Sequence, residues 1–130
     1  MAGRSFLLPT PGIARITAVD GDEFRAWLHE NHTTADAVWL MYFKKSSGKA
    51  SIAWSEAVDE ALCYGWIDSK SVSLDDDRYE QYFSPRKPSG PWSKVNKPKI
   101  RALEAADRMQ PAGTAAIEAA KANGSWTISF

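Results

Sequence analysis

Apolar positions along the chain change period several times, and each change predicts an element. From Ile13 to Val19 β-branched residues mark a short extended run that stops at Asp20. Asp20 and Glu23 stand at capping-box spacing, and Phe24, Trp27, Leu28 and Asn31 follow at i, i+3, i+4 and i+7. This predicts a helix of about three turns that buries Phe24, Trp27 and Leu28 and closes over residues 31–34. Residues 37–44, AVWLMYFK, are almost continuously apolar, and so short a run suits a strand, central in its sheet and covered on at least one face. Beyond the basic turn at residues 44–49, helical spacing returns. Trp54, Ala57, Val58, Ala61 and Leu62 face inward, Glu56, Asp59 and Glu60 face water, and Gly65 ends the helix.

After Gly65 the pattern turns extended. Residues 66–74 and 78–85 flank an acidic turn, Asp75-Asp76-Asp77, and read as an antiparallel hairpin. With the turn centred on Asp76, Asp68 lies opposite Ser84 and Trp66 opposite Arg86, all on one face, unless a bulge breaks the register. The Pro- and Gly-rich residues 87–91 are irregular. Ser93 or Asn96 then caps a helix that turns Ile100 and Leu103 inward, with Ala106 as an optional third. An alanine-rich helix spans residues 111–123 and stops at Gly124, and residues 126–130 read as extended. Trp27, Leu28, Trp39, Val58, Leu62, Ile100 and Leu103 are expected to be mostly buried.

With 130 residues, the chain reads as a flexible leader over 1–12 followed by one domain over 13–130. Sixteen basic residues balance 16 acidic ones, so no global field draws the chain to nucleic acid or an anionic membrane. The apolar run near the N-terminus is too short for a signal peptide, and no stretch is long enough to insert in a membrane. With Cys63 as its single cysteine, the chain fits a reducing, cytoplasmic setting.

Candidate chemistry gathers at the open end of the hairpin. Asp68 and Arg86 pair a carboxylate with a guanidinium, Trp66 and Trp92 could wall a small pocket, and Ser93 and Asn96 could supply polar contacts. Such a pocket would take a small polar or anionic ligand or a protein partner. The same residues also have structural readings, an ion pair pinning the hairpin and caps for the next helix. A second hypothesis is nucleic-acid binding by Lys44, Lys45, Lys49, Lys70, Arg86, Lys87, Lys94, Lys97, Lys99 and Arg101, with Trp66, Tyr82 and Trp92 between them. It is weaker, because no recognised reader motif accompanies them. A third is an enzyme with Asp68 as general base. No cofactor is expected: His29 and His32 have no third metal ligand at suitable spacing and no phosphate loop is present; Cys63 is a weak candidate nucleophile, since it sits where the helix dipole disfavours a thiolate.

Several segments, in order, carry a family likeness: EAVDEALCYGWID, QYFSPR, WSKVN and MQPAGTAAIEAAKANGSW. Over roughly residues 20–126 they resemble the YdeI/OmpD-associated family, also called bacteriocin-protection proteins, with Ala53 and Gly90 departing from its usual residues. The resemblance implies an α+β fold similar to the YjbR/CyaY-like group, an antiparallel sheet with helices packed against it. It also implies a role in stress resistance, protection against bacteriocins or antimicrobial peptides.

Overall fold

The local reasons for the elements lie in their ends. At the first helix, Asp20 accepts the Glu23 N–H at 3.0 Å while the Glu23 carboxylate takes the Val19 N–H at 2.8 Å. At the second, the carboxylate of Glu56 accepts the Ala53 N–H at 3.1 Å. Before the third, Ser93 Oγ accepts the Asn96 N–H at 3.0 Å and Ser93 O receives the Lys97 N–H at 3.2 Å, so Ser93 caps the turn that leads into the helix. The computed structural model describes residues 13–88, 90 and 92–127. Strands β1 Ala14–Thr17, β2 Val38–Phe43, β3 Trp66–Ser73 and β4 Arg78–Pro85 form one sheet in the order β1-β2-β4-β3. The helices are α1 Gly21–Asn31, α2 Trp54–Cys63, α3 Asn96–Ala105 and α4 Pro111–Asn123.

The fold is α+β, and its sheet is mixed. β2–β4 and β4–β3 are antiparallel, while β1 runs parallel to β2 because α1 crosses over between them. One face of the sheet is covered. Val38, Leu40 and Tyr42 alternate inward on β2, opposite Phe83, Gln81 and Tyr79 on β4. Phe24 of α1 sets its ring 5.2 Å from that of Phe83, and Trp27 meets Trp66 edge-on at 5.8 Å. Trp39, Met41 and Phe43 point to the other, half-exposed face, so the apolar run of β2 serves two faces of unequal burial. Ala57, Val58, Ala61 and Leu62 of α2 complete the core with Ile100, Leu103 and Ile117. α4 crosses α2 at close range: Gly113 lies against the Cys63 carbonyl, which also accepts the Gln110 N–H at 3.0 Å.

Tertiary packing corrects several expectations. Trp54, placed inward by spacing, is 53% exposed, because it opens α2 before the helix reaches the core. Glu60, placed in water, is buried between Arg25 at 2.9 Å and Arg108 at 2.6 Å, two cations that come from α1 and the α3–α4 connection. Ala106, the optional third inward residue, is exposed, while Trp27 and Trp39 are mostly buried as expected, Trp27 packed against the core. Ser125–Thr127 forms a 3-10 turn, where an extended run was expected; residues 128–130 and the leader over 1–12 lie outside the described residues. At the hairpin, the register centred on Asp76 holds at the tip, with Ser71, Val72 and Ser73 opposite Gln81, Glu80 and Tyr79. A bulge between Asp68 and Ser71 then shifts it by one residue. Asp68 pairs with Phe83 and Trp66 with Pro85, instead of Ser84 and Arg86.

Candidate functional site

That one-residue shift decides the site. It turns Asp68 towards Gln81, whose Nε2 donates to Asp68 Oδ2 at 2.7 Å. Gln81 is held in turn by the Tyr42 hydroxyl, which donates to Gln81 Oε1 at 2.7 Å. Tyr42 is 1% exposed, and burial raises its phenol pKa well above the ordinary value, helped by Tyr79 and the Asp68 charge. It therefore keeps its proton as a donor. Tyr79 stacks on it at 4.7 Å, with 18° between the rings.

Asp68 sits where two adjoining hollows meet. One, of about 310 Å³, runs between the start of α2, the start of α3 and β3, and Trp54, Val58, Ile67, Val95, Asn96 and Lys99 line it with Ser93. The other, of about 470 Å³, follows the bulge along Ser69, Lys70 and Ser71 to Tyr79 and Gln81. Trp54 and Asp68 border both, so they form one cleft with a polar floor and a partly apolar wall. At the wall, Lys99 Nζ is engaged by Asp59 at 2.8 Å.

Of the six residues singled out from sequence, the structure brings Asp68, Ser93 and Asn96 together in this cleft. It does not bring the other three. Trp66 and Trp92 are each 1% exposed and belong to the core. Arg86 lies over Trp92, its guanidinium carbon 3.7 Å from the ring centroid, and its Nη2 donates to the Gly90 carbonyl at 3.4 Å. Burial lowers its pKa from the ordinary value without depriving a guanidinium of its charge. The expected pocket floor of Asp68 beside Arg86 is thus replaced by two separate arrangements, a polar cleft and a cation–π stack. Tyr42, Gln81 and Trp54 were missed. Gln81 did leave a signal, since it is a polar residue on the strand parity of Tyr79 and Phe83, where an apolar one is expected.

The remaining candidates have structural roles. His29 Nδ1 pairs with the Tyr64 hydroxyl at 3.1 Å and His32 Nδ1 with Leu28 O at 2.7 Å. The Cys63 thiol is buried, and burial raises its pKa. Among the described residues there is no group of three or more His, Cys, Asp or Glu able to hold a metal ion, and no helix long and apolar enough to cross a membrane.

Residues 16–116 match a family described as a domain of unknown function (DUF8412). The chain belongs to this family. No curated protein and no solved structure matches it. In this DUF8412 domain the matched stretch contains all of β2, β3 and β4 and every residue that lines the cleft.

Proposed function

We propose that the chain is a binding protein whose cleft at the β3 bulge takes a small polar ligand. The observation that carries this reading is the directed chain of hydrogen bonds from Tyr42 through Gln81 to Asp68, which delivers a carboxylate, held in position, to a concave surface. Bulges re-aim side chains at sites, and a pocket with apolar walls and few oriented polar groups is the usual form of a small-ligand site. Gln81 Nε2 occupies one Asp68 oxygen and fixes the carboxylate in place, which suits an anchor that orients a ligand, so binding is preferred to general-base catalysis. An anionic ligand loses the support of Arg86, which is engaged with Trp92.

Kinship with the YdeI-type proteins and a part in protection against antimicrobial peptides belong to the same proposal and rest on the sequence resemblance, while a cytoplasmic location rests on the single cysteine, Cys63. The test is a small-fragment screen followed by amide and indole chemical shifts. Perturbations should converge on Trp54, Asp68, Ser93 and Asn96. Shifts confined to other surfaces would refute the cleft as the site.

One observation favours a second reading, nucleic-acid association, on a different surface from that expected. Trp66 and Trp92 are buried and cannot stack on bases, but Trp39 and Tyr82 share the half-exposed sheet face, with Lys70 Nζ 5.6 and 4.9 Å from their ring centroids and Arg15 over Trp39 at 5.9 Å. Aromatic rings beside cations can serve single strands. Affinity for an oligonucleotide that falls steeply with salt and is lost in Trp39→Ala would establish it.

A further inference from the structure

Resting on the cleft as a ligand site, the geometry points to the chemical class of its ligand: a guanidinium or primary ammonium carried on a short apolar stem. The polarity of the floor is set from inside the core. Tyr42 has one hydroxyl proton and gives it to Gln81 Oε1, which fixes the orientation of the amide and obliges Gln81 Nε2 to face Asp68. Asp68 is thereby the accepting end of the chain. Its Oδ2 takes Gln81, while its Oδ1 has no partner among the described residues and the side chain is half-exposed to the cleft. An incoming group must donate there, and a charged donor makes the stronger bond to a carboxylate.

The other charges lining the cleft do not offset Asp68. Lys99 of α3 is taken by Asp59 of α2 at 2.8 Å. Lys70 of β3 directs its ammonium over Trp39 and Tyr82 on the opposite face of the sheet. Beside the carboxylate stand Trp54, 53% exposed, and Val95, 68% exposed, with Val58 and Ile67 deeper in. An exposed indole next to a carboxylate is a setting for a planar cation, which can lie on the ring while its N–H groups reach the oxygens. The aliphatic wall then receives the stem, and the Asn96 amide borders the same space. A free guanidino or amino compound and an arginine or lysine side chain of a peptide share this chemistry.

Isothermal titration of the full chain with butylguanidine, its neutral isostere butylurea, pentanoate and N-acetyl-arginine-N′-methylamide tests the assignment, with chemical shifts locating each probe. Butylguanidine should bind in the cleft at least about tenfold tighter than butylurea, the scale of one charge-assisted hydrogen bond. Asp68→Asn should erase that difference with an unchanged melting temperature, and Trp54→Ala should weaken both probes. Tighter binding of the blocked arginine would identify a peptide side chain as the source, and tighter binding of butylguanidine a free small molecule; both support the class. Butylurea or pentanoate binding in the cleft as tightly as butylguanidine would overturn the cation assignment and leave the cleft as a ligand site. Absence of cleft shifts with all four probes would remove the ligand-site reading itself. If Asp68→Asn does not fold, the comparison of guanidine with urea on the native chain and Trp54→Ala still decides the matter.

Discussion

Cys63 and Arg86 show how position overrides residue type. The Cys63 thiol is fully buried at the end of α2, and its pKa is raised by burial, with Arg25 opposing and Glu60 reinforcing the shift. An acid of raised folded pKa keeps its proton in the native chain while the unfolded chain loses it. The unfolded state therefore gains, and stability falls as pH climbs past about 8.5, the value of a free thiol. Urea unfolding at several pH values should show this decline, and Cys63→Ala should flatten it between about pH 8.5 and 10. A thiol reagent should modify the native chain only as fast as the core opens; rapid modification without denaturant would contradict the burial. For Arg86, a place in the cleft would have made Arg86→Ala a binding variant of normal stability. Stacked on Trp92, it should instead cost about 1 to 2 kcal/mol, the range for a partly desolvated cation–π contact, and leave affinity for any cleft ligand unchanged. Chemical denaturation and titration of that one variant give both answers.

At the scale of elements, the bulge in β3 and the crossing of α4 over α2 are the two decisive features. The bulge costs ladder pairing at Ser69 and Lys70 and in return swings Asp68 from the register of Ser84 to that of Phe83, where Gln81 can hold it. The helix crossing depends on Gly113. A methyl group there would fall inside contact distance of the Cys63 carbonyl, whose backbone atoms cannot turn aside, and of the Met109 side-chain methyl. Helix propensity alone predicts that Gly113→Ala stabilises by about 1 kcal/mol. The packing predicts the opposite sign, a loss of about 1 to 3 kcal/mol as α4 is pushed off α2. Thermal denaturation decides between them by sign alone.

Among the described residues, the helices pack on one face of the sheet and the other is half-exposed, and β4 lies between β2 and β3. Amide exchange should be slowest in β2 and β4, intermediate in α2, and fastest at the edges, in β1 and at Ser69 and Lys70 of the bulge. Protection in β3 equal to that in β4 would contradict the bulge. The chain's own pattern was enough to place the four helices, the β3–β4 hairpin, the central strand and the burial of Leu28, Val58, Leu62, Ile100 and Leu103, because periodicity and capping act over a few residues and are written locally. It also named Asp68, Ser93 and Asn96, polar residues at the ends of elements. Tertiary structure alone decided that Trp66, Trp92 and Arg86 belong to the packing, that Glu60 is buried between two arginines, and that Trp54 stands exposed at the cleft. Those outcomes depend on which distant segment arrives opposite each side chain. A single extra residue in β3, which no local period records, moves a carboxylate from one set of neighbours to another.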